Sequence, residues 1–154
     1  MQIRELMSRD VATITPGTSL RDAARRMAAL NVGALPVSNQ ERLVGMITDR
    51  DIAVRGVAEG KTPSAKVRDV MTPQIKYCFE DQELDEIAAN MADIQVRRLP
   101  VVDRDGHAIG ILSIDDVVRW GVAPDGVRAA NVIAALEHIC ERRAMKQNLD
   151  ITVA

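Results

Sequence analysis

The sequence predicts a small α/β chain assembled from two copies of one β-α-β-β-α unit, and three observations support this. The 154 residues repeat themselves at a near-constant offset. Each copy places a stretch of helical apolar periodicity between short apolar strands. The core must also be aliphatic, because 47% of residues are hydrophobic and only 2% aromatic. Such a mix suits small helices on small sheets better than a sandwich built on Tyr, Phe and Trp.

The repeat is read by setting Met7-Ser8 over Met71-Thr72. Leu20 then meets Leu84, Ala24 meets Ala88, Met27 meets Met91, and Leu35-Pro36-Val37 meets Leu99-Pro100-Val101. The offset grows by one between Val37 and Gly45, so that Gly45 meets Gly110, Thr48 meets Ser113 and Asp51 meets Asp116. The slip falls where Asn39-Gln40-Glu41-Arg42 faces Asp103-Arg104-Asp105-Gly106-His107. Both read as hairpin tips, where an extra residue is tolerated.

Each unit runs through the same series of elements. A short helical piece ends near Met7 or Met71. A strand follows, Val11 to Ile14 or Ile75 to Phe79, and then a turn at Pro16-Gly17 or Glu80-Asp81. An amphipathic helix carries Leu20, Ala23, Ala24, Met27 and Leu30 on one face, and its counterpart Leu84, Ile87, Ala88, Met91 and Ile94. Thr18 or Ser19, and Asp81, are the expected N-caps. Strands Ala34 to Val37 and Leu43 to Ile47 come next, with Arg98 to Val102 and Ala108 to Leu112 in the second copy. A second helix starts after Thr48 or Ser113. A unit of roughly 55 residues buries too little surface alone, so two units stacked sheet to sheet are expected. The linker is Val57 to Lys66, which gives boundaries at 1–62, 63–122 and 123–154. The last segment contains a predicted helix, Val127 to Lys146, with Val132, Leu136, Ile139 and Cys140 on one face, and a fraying tail from Asn148.

Charge and composition exclude several function classes. Net charge is −2 and no segment concentrates Lys and Arg, so no nucleic-acid footprint is visible. No apolar run approaches the roughly 18 residues that span a bilayer, and Met1 to Glu5 lacks a signal-peptide pattern. Cys78 and Cys140 have no CxxC partner and read as small buried hydrophobes. His107 and His138 are the two histidines, without acid or Cys neighbours at ligand spacing, so no metal is expected. A cytoplasmic protein is the expectation.

The informative motif is Gly45-Met46-Ile47-Thr48-Asp49-Arg50-Asp51 with its echo Gly110-Ile111-Leu112-Ser113-Ile114-Asp115-Asp116. A hydroxyl residue followed three places on by Asp, between a strand and a helix, is a capping arrangement. The same geometry suits a nucleotide. A helix N-terminus offers open N–H groups to an anion, a hydroxyl can donate to phosphate, and an Asp can accept from a ribose diol. The motif stands in both repeats, each time after an apolar strand, which favours the functional use.

These repeats resemble the CBS domain, the unit named after cystathionine β-synthase. The likeness rests on the two Gly-x-x-Thr/Ser-x-x-Asp motifs, both Leu-Pro-Val stretches, Val67-Arg68-Asp69-Val70-Met71-Thr72 and Arg97-Arg98-Leu99-Pro100-Val101-Val102-Asp103. It runs over about Met1 to Trp120. The resemblance implies a stand-alone Bateman module of the bacterial type. Its two repeats would be related by a pseudo-twofold axis, with two clefts between them for AMP, ADP, ATP or S-adenosylmethionine. Carried over, site one comprises Thr13, Ala34, Pro36, Thr48 and Asp51. Site two comprises Tyr77, Arg98, Pro100, Ser113 and Asp116. The Arg that the family places before Leu-Pro is Arg98 in repeat two but Ala34 in repeat one, so the sites should differ. A homodimer is also implied.

Among the remaining residues, Arg97-Arg98 reads as a surface pair or a cleft wall, Arg50 and Asp115 as surface positions. Tyr77 either stacks on a base or fills its strand. Trp120 covers an interface edge. No Ser–His or Cys–His pair, paired carboxylates or phosphate-binding Gly loop suggests catalysis. The function expected is therefore a non-enzymatic ligand sensor that needs no cofactor, binds an adenosine nucleotide as regulatory ligand and signals to an unknown protein partner. The alternative is an interaction scaffold with vestigial sites.

Overall fold

The computed structural model describes residues 1–121 apart from 10 and 95. The helix predicted over 127–146, with its Cys140 and His138, and the tail after it lie outside these residues.

The elements follow the repeat. In the first copy, α1 spans Leu20–Leu30, β1 Ala34–Asn39 and β2 Arg42–Thr48. Helix α2 covers Asp49–Asp51 and continues as a wider π-helical turn over Ile52–Val57. Strand β3 is Thr72–Pro73 and β4 is Cys78–Phe79. The second copy has α3 over Leu84–Ile94, β5 over Arg98–Val102, β6 over Ala108–Ser113 and α4 over Ile114–Gly121. Short 3-10 turns stand at Ile3–Glu5 and Val67–Asp69.

Local chemistry sets the boundaries. Ser19 caps α1 by accepting from the Asp22 amide at 3.0 Å. Asn31 ends the helix in the left-handed region (φ 53°), where Asn is tolerated. The Pro16-Gly17 turn closes with the Thr18 amide on the Thr15 carbonyl at 3.1 Å, Pro at its favoured second position. The first hairpin turns on Gln40 and Glu41, both at positive φ, as a two-residue tip requires. The second tip is one residue longer. There the Asp103 carboxylate accepts the amides of Asp105 and His107, each at 2.9 Å, and Gly106 takes φ 87°.

Three expectations are corrected. The first strand of each unit hardly forms. Ile14 alone bridges Val37, in parallel, and the partner strand is reduced to Cys78–Phe79. Pro16 follows closely in one copy, and Gln74, at φ 50°, immediately precedes the other. Asp81 is not the cap of α3. Residues 79–82 form their own turn, the Gln82 amide on the Phe79 carbonyl, and Glu83 precedes the helix. The apolar stripes are also narrower than predicted. Leu20, Ala23 and Met27 are buried, whereas Ala24 and Leu30 are exposed, and so is Ile94.

The described chain forms two compact units. One contains residues 9–77 and 102–109, the other 1–8, 78–101 and 110–121. In the first, the sheet order is β1-β2-β3, antiparallel, with Ala34 opposite Thr48 and Pro36 opposite Met46. Ile14, Leu20, Met27, Leu35, Val37, Ile47, Val67 and Val70 form its core. In the second, the order is β4-β5-β6, and Ile3, Leu84, Met91, Leu99, Val101, Leu112 and Val117 are its large buried residues.

The segment that leads into each repeat packs with the other repeat. Met71–Pro73 adds β3 to β2, opposite Gly45 and Met46. Ser8 bridges Ile111 on β6, with both backbone hydrogen bonds at 3.0 Å. The motif glycines permit this approach. A Cβ on Gly45 would stand 2.7 Å from the Thr72 carbonyl oxygen, and one on Gly110 2.5 Å from the Met7 Sδ.

Candidate functional site

Thr48 ends β2 and Asp51 lies in the first turn of α2, so the strand end and the helix start share one hydrogen-bonded box. The Asp51 Oδ2 accepts from the Thr48 amide at 2.9 Å and from the Thr48 hydroxyl at 2.8 Å. The Asp51 amide donates back to Thr48 Oγ1 at 3.0 Å. Ser113 and Asp116 repeat the box at the start of α4, with distances of 2.9, 2.6 and 3.2 Å. The capping role read from sequence is thus real in both copies.

The box spends part of the chemistry expected of it. Each hydroxyl proton already goes to its own aspartate, so donation to a phosphate requires the hydroxyl to rotate. In each box the aspartate uses Oδ2, and Oδ1 takes no part. Among the described residues Asp51 Oδ1 has only the Arg55 Nε, at 3.7 Å, and that guanidinium also reaches the Val70 carbonyl and the Thr72 hydroxyl, both at 3.2 Å. Asp116 Oδ1 has no partner among the described residues.

The open helix N-terminus expected from sequence is closed in repeat one. The Asp49 amide donates to the Gly33 carbonyl at 3.0 Å, and the Arg50 amide to Asp49 Oδ1 at 2.7 Å. In repeat two the Ile114 amide donates to the Arg97 carbonyl at 2.9 Å. Ile114 has no acceptor to offer the next amide, so Asp49 distinguishes the two copies. A comparison of the repeats shows that Asp49 stands where the other copy has Ile114, but not that its carboxylate folds back onto the amide.

The remaining predicted residues divide by unit. Thr13, half-buried, and Ala34 and Pro36, buried in β1, belong to the same unit as Thr48 and Asp51. The Pro36 carbonyl accepts from the Ile14 amide at 3.1 Å. Arg98 starts β5 with its side chain exposed, and Pro100 is buried two residues on, in the same unit as Ser113 and Asp116. Tyr77 belongs by its packing to the other unit. It is 52% exposed and precedes β4, so it does not fill a strand. Arg50 and Asp115 are exposed, as expected of surface positions, and Trp120 is half-buried.

One constellation was missed. Asp103, Asp105 and His107 bring ligand-capable atoms within 4.8 Å of one another, so His107 does have acids at ligand spacing. The Asp-x-Asp-x-His pattern was the available signal. Its atoms already have structural roles, with His107 Nδ1 lying 2.8 Å from Asp103 Oδ2. That contact raises the His107 pKa from its ordinary value, while the amide and ring of His107 lower that of Asp103. Cys78 is buried, and loss of solvent pushes its thiol up to about 12, which makes it a packing residue.

The family model of the CBS domain matches residues 3–56 and 67–123. The chain belongs to the CBS domain family. It is 37% identical over 115 residues to the CBS domain-containing protein YhcV of Bacillus subtilis, covering 75% of this chain and 81% of that protein. Its fold is similar to CBSX2 in complex with AMP, at 32% identity and a TM-score of 0.70, over 77% of this chain and 94% of that one. It is also similar to the CBS domain pair of protein MJ0100 in complex with 5′-methylthioadenosine and S-adenosyl-L-methionine. That match has 26% identity and a TM-score of 0.70, covering 78% and 94%. The architecture of two small sheets with their helices is therefore that of the CBS Bateman module. No helix among the described residues is long and apolar enough to cross a membrane.

Proposed function

We propose that this CBS pair is a cytoplasmic, non-enzymatic sensor that binds an adenosine nucleotide and passes the event to a protein partner as a conformational change. The twin box carries the reading. A hydroxyl and a carboxylate stand together at a strand-to-helix junction twice, and each carboxylate keeps an oxygen for a ribose diol. The AMP and S-adenosylmethionine complexes of the two structural relatives support the ligand class.

Site one is Thr13, Ala34, Pro36, Thr48 and Asp51, and site two Tyr77, Arg98, Pro100, Ser113 and Asp116. The repeats divide at 1–62 and 63–122, with 123–154 as an appended segment. Site two is the better phosphate site, because Arg98 supplies a guanidinium and no side chain closes the amide after Ile114. Site one is self-capped by Asp49, and that observation favours a scaffolding role for this half. Exposed apolar residues on the first repeat's helices, Ala24, Val54 and Val57, support a homodimer.

Calorimetric titration of AMP, ATP, NAD and S-adenosylmethionine into the wild type, Asp51→Ala and Asp116→Ala tests the reading. Loss of phosphorylated-ligand binding in Asp116→Ala alone is the expected result. Unchanged binding in both variants refutes the ribose assignment. Absence of binding at millimolar ligand leaves the scaffold.

A further inference from the structure

Beside α1 in the first unit lies a groove of about 620 Å³, within the size range of small-molecule sites. Its polar lining is Thr13, Thr15, Thr18, Asp22, Arg25 and Arg26, beside the apolar Ile14, Ala29 and Leu30. Asp22 Oδ2 accepts from the Ser19 hydroxyl at 2.7 Å and keeps its charge, so the lining sets one carboxylate against two guanidiniums. Arg25 and Arg26 are exposed and have no ion-pair or hydrogen-bond partner among the described residues. The Thr15 and Thr18 hydroxyls share one hydrogen bond at 3.1 Å, so one of their two protons remains, and with the Thr13 hydroxyl and two unpaired guanidiniums it forms a donor set that matches phosphate oxygens.

The second repeat supplies an internal control. The residues aligned with Arg25 and Arg26 are Ala89 and Asn90, and those aligned with Thr13, Thr15 and Thr18 are Tyr77, Phe79 and Gln82. The same helix forms there without them, so the fold requires neither the arginines nor the threonines. We infer that this groove is a second ligand site, specific to repeat one, that takes the phosphate or diphosphate group of a small phosphorylated molecule. It does not depend on the adenosine reading of the boxes, with which it shares only Thr13.

The test is a ¹H–¹⁵N NMR titration of the full chain with inorganic phosphate and with pyrophosphate at constant ionic strength. Arg25→Ala/Arg26→Asn, which copies the second repeat, and Asp51→Ala are titrated in parallel. Saturable shifts should gather on Thr13, Thr15, Thr18, Arg25 and Arg26. They should persist in Asp51→Ala and weaken about tenfold or more in the arginine variant, the worth of one charge-assisted hydrogen bond or more. Equal affinity in the arginine variant overturns the inference, and so do non-saturating shifts spread over every exposed arginine. The variant's unperturbed spectrum checks that it folds.

Discussion

At the start of α2, Asp49 fills the amide of Arg50 with its own side chain, and Ala34 begins the neighbouring strand. At the same place in α4 stands Ile114, which can fill nothing, and Arg98 begins the strand. The boxes themselves agree closely in all three hydrogen bonds. The shared box gives both junctions the same hydroxyl and carboxylate. The residues just outside it set how many donors each junction leaves open to a phosphate.

The largest effects should come from the glycines that admit the leading segments. A methyl on Gly45 meets a backbone carbonyl, whereas one on Gly110 meets chiefly the flexible Met7 side chain. Gly45→Ala should cost about 3 kcal/mol and Gly110→Ala about 1 kcal/mol, the span of overpacking costs. Urea unfolding midpoints measure both, and equal losses would show that the two approaches are equivalent.

Exchanging the strand-start residues sharpens the comparison next. Arg98→Ala should weaken a phosphorylated ligand at site two about tenfold, and Ala34→Arg should strengthen it at site one by less, because Asp49 still closes the amide. Calorimetry of the two single variants reads this, and a full gain in Ala34→Arg would show that Asp49 is not the barrier.

The tips differ as well. Gln40 and Glu41 adopt the left-handed region without being glycine. Changing the pair to Asn-Gly should stabilise the first unit by about 1 kcal/mol, visible as a higher thermal midpoint.

The smallest effect is the pH response of the longer tip. His107 has a raised pKa, so its contribution is complete below its ordinary value of 6.5 and is lost as pH rises through the raised value. Asp103 has a lowered pKa, so its contribution is present above 3.8 and is lost as pH falls through the lowered value. The tip should be best ordered between those two ordinary values. Asp105 and Glu41 add to the pull on the His107 proton. Amide exchange at Leu43, which donates to the Gly106 carbonyl at 3.1 Å, follows the response. His107→Gln should abolish its alkaline limb.

Much of this was legible because the chain is written twice. Periodicity placed α1 at about Leu20 to Leu30 and its counterpart on the stripe from Leu84 to Ile94, as the structure has them, and the one-residue slip located the longer tip. Thr48-x-x-Asp51 announced its cap from chemistry alone. The edge strands were not legible. Val11 to Ile14 carries apolar residues, yet only Ile14 finds a ladder partner, and apolarity cannot reveal pairing. The closing of the helix N-terminus by Asp49 was hidden for a related reason. Nothing local indicates whether a carboxylate in a first turn faces solvent or folds back onto an amide.

The crossed leading segments have a consequence for how the chain is made. Thr72 follows soon after β2, so the first unit can complete its three-stranded sheet early in synthesis. Ser8 must wait for Ile111, roughly a hundred residues later, and loop closure over such a separation is slow. Residues 3–8 are thus synthesised well before the strand that holds Ser8 and are placed late. In the interval Ile3, fully buried in the finished unit, is exposed to chaperones and to the equivalent slot of a neighbouring chain.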